Sequence, residues 1–549
     1  MSYFDLGTFS RRLQTAAPAE QLWFDRGLTW QYGFNHEEAI ACYEQVLRIA
    51  PTNVMARWGI AHCLGPNYNR LWEFFTPEEK ASTLARAHDL LAEARSFPAP
   101  EVEQALVNAL AARFPTDPTV EDYGPWNETF AQAMRAVHHR FPDDLDVTAI
   151  FVEALMNLTP WALWETRSGT PAPGASTEEA RAALERAFAA QTSAWDHPGL
   201  LHFYIHLMEM SPTPERALPH GDRLVGLVPD AGHLVHMASH IDVLCGDYHN
   251  VVARNRQAAR VDRAYFDHAG GQNFYTIYRI HNLHFQIYGA MFLGRPSDAF
   301  GAAKALAECL PEPVVRYLPD LFEAFVPMRL HILIRFGRWS CILKEPFPKD
   351  AMLYSFSTAL LHYARTVALA NLGRSADAAD SATRFAQARY AVQPERMLFN
   401  NPCTEVLSVA EAMMLGELHY KSGRIAAGLD HLRRAVALDD GLVYDEPWGW
   451  MQPTRHALGA LLMDAGQLEE AEAVYRADLG LDATLPRPCQ HPRNVWSLHG
   501  LHECLLQRGE AVEIVHIRQQ LDQALARAEV AITASCACRH ARTCCSAEP

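Results

Sequence analysis

Large and small residues alternate along the N-terminal part of the chain at a spacing that belongs to paired helices. Trp23, Gly27 and Trp30 fall on one helical face, and Ala39, Tyr43 and Pro51 follow. Set in a unit of 34 residues that starts at Glu20, these six occupy positions 4, 8, 11, 20, 24 and 32. The pattern predicts two antiparallel helices. Small residues at 8 and 20 let the helices approach, and large ones at 4, 11 and 24 fill the seams. The same frame returns at Trp58-Gly59, at Ala217 and Pro229, and at Gly246 as a turn glycine. It returns again at Leu458-Gly459, Gly466, Ala471 and Tyr475, and once more at Trp496 and Gly500. An insertion begins at Gly65-Pro66-Asn67-Tyr68-Asn69, proline-containing turns crowd Pro98 to Asn127, and Ser168 to Thr177 reads as an exposed loop.

This motif resembles the tetratricopeptide repeat, whose unit reads W-x2-L-G-x2-Y, then A-x3-F, then P. The resemblance implies an all-α fold, a tetratricopeptide-repeat-like α-solenoid of helix hairpins. The expected organisation is an N-terminal array over residues 1–310, an irregular connecting segment at 311–350, a second array at 351–530 and a cysteine-rich tail at 531–549.

The resemblance also implies that positions 2, 5, 9 and 12 of each unit line a concave face. With Pro229 at position 32, His202, His206 and Glu209 take positions 5, 9 and 12 of one unit, and His233, His236 and His240 take 2, 5 and 9 of the next. The His-x3-His pairs His202/His206 and His236/His240 are therefore separated by one full repeat. Glu153 and His62 fall at position 9 of their units, and His281 and His284 at 2 and 5 if Gly294 is a turn glycine. His456 takes position 5 much later in the chain.

Two histidines four apart on a helix present both imidazoles to one patch. Two such pairs on neighbouring helices supply the ligands of a Zn, Fe or Cu site. The metal ligands read from the sequence are His202, His206, His236 and His240. Glu209 and Glu153 are the candidate catalytic acid or base groups, and His62, His233, His281 and His284 the candidate substrate contacts. Phe203 follows His202, so the His-Glu-x2-His protease pattern is absent. The order His202-x3-His206-x2-Glu209-Met210 followed by His236-x3-His240 resembles a subgroup of tetratricopeptide-domain proteins of bacteria and fungi. It is also loosely similar to tetratricopeptide repeat protein 38 of animals. That likeness implies fold and no reaction. Two functions follow: a metal-dependent enzyme, hydrolytic or oxidative, acting on a small molecule, or a non-catalytic scaffold gripping a peptide in the concave groove.

A formal charge of −16 argues against a nucleic-acid partner, and no apolar run is long enough to span a membrane. The N-terminus lacks the apolar segment of a secretory signal, so the expected compartment is the cytoplasm. No Walker-type phosphate loop and no G-x-S-x-G elbow occurs. Of twelve cysteines, eight are scattered singly as small hydrophobes. Cys536, Cys538, Cys544 and Cys545 crowd the tail beside His540, as a metal ligand set or a redox pair.

Overall fold

The computed structural model describes residues 3–14 and 16–539, so His540, Cys544 and Cys545 lie outside the described residues. The chain is all-α, built of tetratricopeptide-like helix hairpins. It divides into two compact units, Met1–Ile241 and Asp242–Pro549.

The first unit opens with the hairpin Pro18–Tyr32 and His36–Ile49, followed by Val54–Leu64. Asn35 caps the second helix, its side chain accepting from the Glu38 backbone N–H. Tyr43 explains the small residue at position 8, Gly27, and a glycine near the start of the next unit, Gly59. Its ring lies between Gly27 of one repeat and Gly59 of the next, and a Cβ on Gly27 would come within 2.7 Å of the ring. The Tyr43 hydroxyl donates to Gln31 Oε1 at 2.8 Å, which satisfies the phenol that the seam buries. The second unit repeats the device with Tyr475 between Gly459 and Gly500.

Three helices of the first unit are buried almost from end to end: Val54–Leu64, Leu145–Met156 and Pro198–Glu209. A helix without a solvated face needs side chains that are apolar all round or polar groups with internal partners. These three carry His62, Glu153, His202, His206 and Glu209. Helix Gly232–Leu244 carries His233, His236 and His240. The segment read as an exposed loop at Ser168 to Thr177 begins in a small antiparallel pairing of Trp164–Glu165 with Thr170–Pro171.

The second unit continues with Tyr248–Ala269, Thr276–Leu293 and Pro296–Cys309. Gly294 and Gly246 are the left-handed turn residues expected of them, at φ +68° and +73°. The 311–350 segment is not a divider. It forms short helices, including Glu312–Tyr317, Pro319–Phe322 and Met328–Arg335, whose Val315, Phe322 and Ile332 join the same core as Ile287, Leu361 and Leu461. Prolines near the starts of these helices interrupt no helical hydrogen bond, so the apolar stretches bury despite them. Four regular hairpins follow, from Ser355–Asn371 with Ser375–Tyr390 to Val495–Arg508 with Glu513–Leu525. Trp450 is core against Tyr363 and His331, and Trp448 donates to Asp439. The last described residues dock rather than trail away: Ser535 bonds Tyr475 and the His456 carbonyl, and Arg539 pairs with Glu503.

The seam gives a stability prediction. Gly59→Ala forces a methyl group into the Tyr43 ring and should destabilise by about 1–3 kcal/mol. Gly301→Ala, on a helix with nothing within 4 Å of the new methyl, should stabilise by about 0.5–1 kcal/mol through helix propensity. Thermal unfolding of the full chain reads both.

Candidate metal centre

The last turns of Pro198–Glu209 and the body of Gly232–Leu244 bring six polar side chains together with no exposure above 1%. Burial of an imidazole requires that each N–H find an acceptor, and here most Nδ1 atoms have one. His202 Nδ1 lies 2.6 Å from the Tyr32 carbonyl. Glu209 takes two histidines at once, with His206 Nδ1 at 2.9 Å from Oε1 and His240 Nδ1 at 2.8 Å from Oε2. Ser239 Oγ lies 3.2 Å from His236 Nδ1.

A donating Nδ1–H on His202, His206 and His240 fixes the tautomer and leaves Nε2 as the lone-pair atom, the second-sphere arrangement that orients metal-binding histidines. Burial pushes His202 down to about 3, and burial together with neighbouring imidazoles holds His206 well below the usual histidine range. Both rings are therefore neutral at pH 7, with lone pairs available.

The Nε2 atoms divide into two sets. One ring nitrogen from each of His202, His206 and His233 lies within 4.8 Å of the others. His202 Nε2 and His233 Nε2 are 3.2 Å apart. Two imidazoles on a tetrahedral ion at about 2.05 Å stand about 3.3 Å apart, so this spacing fits a shared metal. His206 Nε2 has no hydrogen-bond partner among the described residues. The other set is His236 and His240, whose Nε2 atoms are 2.7 Å apart. That is too close for two ligands of one ion and right for an N–H donating to a lone pair. With His240 donating from Nδ1 to Glu209, consistent tautomers run in one line. Ser239 donates to His236, His236 Nε2–H to His240, and His240 to Glu209.

The equivalence of the two pairs in the repeat frame is thus not an equivalence of role. His202 and His206 join His233, read from the sequence as a substrate contact, while His236 and His240 bond each other. Glu209 orients two rings instead of facing an open space.

Aromatic rings pack on this cluster. Phe34 lies 4.6 Å from the His202 ring and stacks against His233 at 5.9 Å. Tyr68, from the insertion, lies 4.9 Å from His206, and Trp161 lies against Tyr68 at 5.3 Å. Phe34 and Trp161 have left-handed backbones, at φ +56° and +58°. A bulky residue held there costs about 1–3 kcal/mol, a strain that recurs at functional sites. Neither ring has a signal in the repeat frame, because both come from connections between helices.

His62 Nε2 is 3.3 Å from Glu153 Oε2, and His36 joins them, its Nδ1 at 3.1 Å from the Cys63 carbonyl. Burial opposes the Glu153 carboxylate, yet His62, Arg113 and His36 together hold it below its usual range. His281 and His284 lie in the second unit on Thr276–Leu293, both against Phe399, another left-handed aromatic at φ +48°. Burial pushes His284 down to about 3. His456 belongs to a separate buried network with Arg335 and Asp478. Cys536 and Cys538 are disulfide-bonded to each other beside Glu417.

A family model for the tetratricopeptide repeat matches residues 20–53. No curated protein matches the chain, so the likeness to tetratricopeptide repeat protein 38 rests on the histidine motif alone. Among solved structures, a human IFIT1 dimer with PPP-AAAA aligns at 9% identity, covering 91% of this chain and 89% of that one with a TM-score of 0.33. The APC/C hetero-tetramer Cut9-Hcn1 aligns at 14% identity, covering 93% and 97%, with a TM-score of 0.23. Likeness at these values carries no inference about function. No helix of the described residues is long and apolar enough to cross a membrane. The chain carries a tetratricopeptide repeat at its start and an all-α helix-hairpin fold in both units.

Proposed function

We propose that the chain is a metal-dependent enzyme of the tetratricopeptide fold, acting on a small molecule by hydrolytic or oxidative chemistry. The observation that carries this reading is the His206 Nε2 atom, buried and without a protein partner, beside His202 and His233 at ligand spacing. Burying a polar nitrogen with nothing to bond is costly, and a divalent transition metal such as Zn, Fe or Cu satisfies it. Three histidine ligands with an open fourth position are the form of a catalytic site, in which the bound metal lowers the pKa of water or binds an oxidant.

The protein's own groups then divide the work. His202, His206 and His233 hold the site, and Tyr32 and Glu209 keep two of those rings in register. The Glu209–His240–His236 line accepts and relays a proton, with the carboxylate stabilising the imidazolium that forms on His240. Phe34, Tyr68 and Trp161 wall the site with apolar surface. A scaffold role, favoured by the repeat match at 20–53, is compatible with the surface of the same fold. It gives these histidines nothing to do, since a docked peptide does not reach side chains this deeply buried.

Protein purified without a histidine tag and reconstituted with zinc should lose one equivalent of metal per chain on His202→Ala/His206→Ala, with circular dichroism unchanged. Retention of the full complement, or no stoichiometric metal in the parent, rejects the reading. Glu209→Gln, which keeps the shape but cannot accept from both rings, should weaken metal affinity about 10- to 100-fold in a competition titration with a chelator. His236→Ala/His240→Ala should keep the metal and leave any protein partner bound in a pull-down. Loss of a partner with the metal retained would favour the scaffold.

A further inference from the structure

A second group of ligand-type side chains lies in the first unit, outside the cluster above. His36 stands at the first position of helix His36–Ile49, and His62 and Cys63 lie at the end of Val54–Leu64. One donor atom from each lies within 4.8 Å of the others, and Glu153 reaches His62 from helix Leu145–Met156. All four are buried, His62 with no exposure and none above 8%.

Their polar atoms are poorly satisfied by the protein. His36 Nε2, both nitrogens of His62 and Glu153 Oε1 have no hydrogen-bond partner among the described residues. The His62 Nε2–Glu153 Oε2 contact is long at 3.3 Å, and about 3.3 Å is the separation of two N/O ligands on one tetrahedral ion. His36 is oriented as a ligand, because its Nδ1 meets the Cys63 carbonyl at 3.1 Å and its Nε2 is left for coordination. Arg113, fully buried and tied to the Pro66 carbonyl, leaves Nε and Nη1 without a hydrogen-bond partner among the described residues. A guanidinium in that position offsets the charge of a thiolate and a carboxylate gathered at one point.

We propose that His36, His62, Cys63 and Glu153 form a second metal centre, distinct from the histidine cluster, with mixed nitrogen, sulfur and oxygen ligands. His36, His62 and Cys63 offer three ligands at one point, and Glu153, against His62, supplies a fourth from a third helix, the form of a structural site that ties the first hairpin to helix Leu145–Met156. Zinc and cobalt(II) suit this donor set. On binding, the Cys63 S–H bond breaks, an Sγ–metal bond forms, and the thiol proton leaves to solvent.

The sulfur separates this site from the first one, whose donors are all nitrogen. Cobalt(II) added to the metal-free full chain should give a near-ultraviolet thiolate-to-cobalt charge-transfer band. Cys63→Ser, nearly isosteric, should abolish the band and lower bound cobalt by one per chain. His62→Gln, which keeps the thiol, should lose the same band. His206→Ala/His233→Ala should keep it, so the failure of one centre is distinguishable from the failure of the other. Absence of the band in the parent chain, or its survival in Cys63→Ser, overturns the proposal.

Discussion

An imidazole taken out of water must find partners for two nitrogens of opposite character, and the first unit is arranged around that demand. Its inner helices have no solvated face, so each histidine on them needs an internal answer. Tyr32, Glu209 and Ser239 meet the Nδ1 side of four rings, and the Nε2 side is left facing inward. His202 and His206 so treated are polarised: hydrogen bonds outside, lone pairs inside. That polarity distinguishes a ligand set from histidines that merely fill a core.

The packing of the repeat makes the arrangement possible. Gly27 and Gly59 admit Tyr43 between successive repeats. Strained connections add the aromatic walls. Phe34, Trp161 and Phe399 all hold left-handed backbones, and the first two frame the cluster proposed to bind metal. The same turn that places Phe34 on His202 starts the helix that carries His36, so one hairpin contributes to both histidine groups.

Much of the fold was legible because repeat spacing encodes backbone geometry directly. Trp23, Gly27, Ala39 and Tyr43 specify a hairpin, and Gly246 and Gly294 mark turns of later ones, both found with positive φ. The candidate site was legible only as a face. The frame put His202, His206, His233, His236, His240 and Glu209 on one side of two helices, and the six are adjacent. It gave no means of telling which rings share a nitrogen-lined space and which bond each other, because that depends on side-chain torsion. His36, Cys63, Arg113, Phe34 and Tyr68 escaped because they come from turns, helix ends and an insertion, where the repeat imposes no period. The buried short helices between 311 and 350 were misread as a connector for a related reason: proline density suggests irregularity, but proline at a helix start is helix-compatible.

The central claim is that three imidazoles share one ion. Anomalous diffraction at the zinc edge, from crystals of the zinc-reconstituted chain, tests it most directly. The account predicts a peak at about 2.0–2.1 Å from Nε2 of His202, His206 and His233, with Glu209 still bonded to His206 and His240. Those rings ordered as described but with no anomalous peak among them, and His202 and His233 joined only by a hydrogen bond, would contradict it.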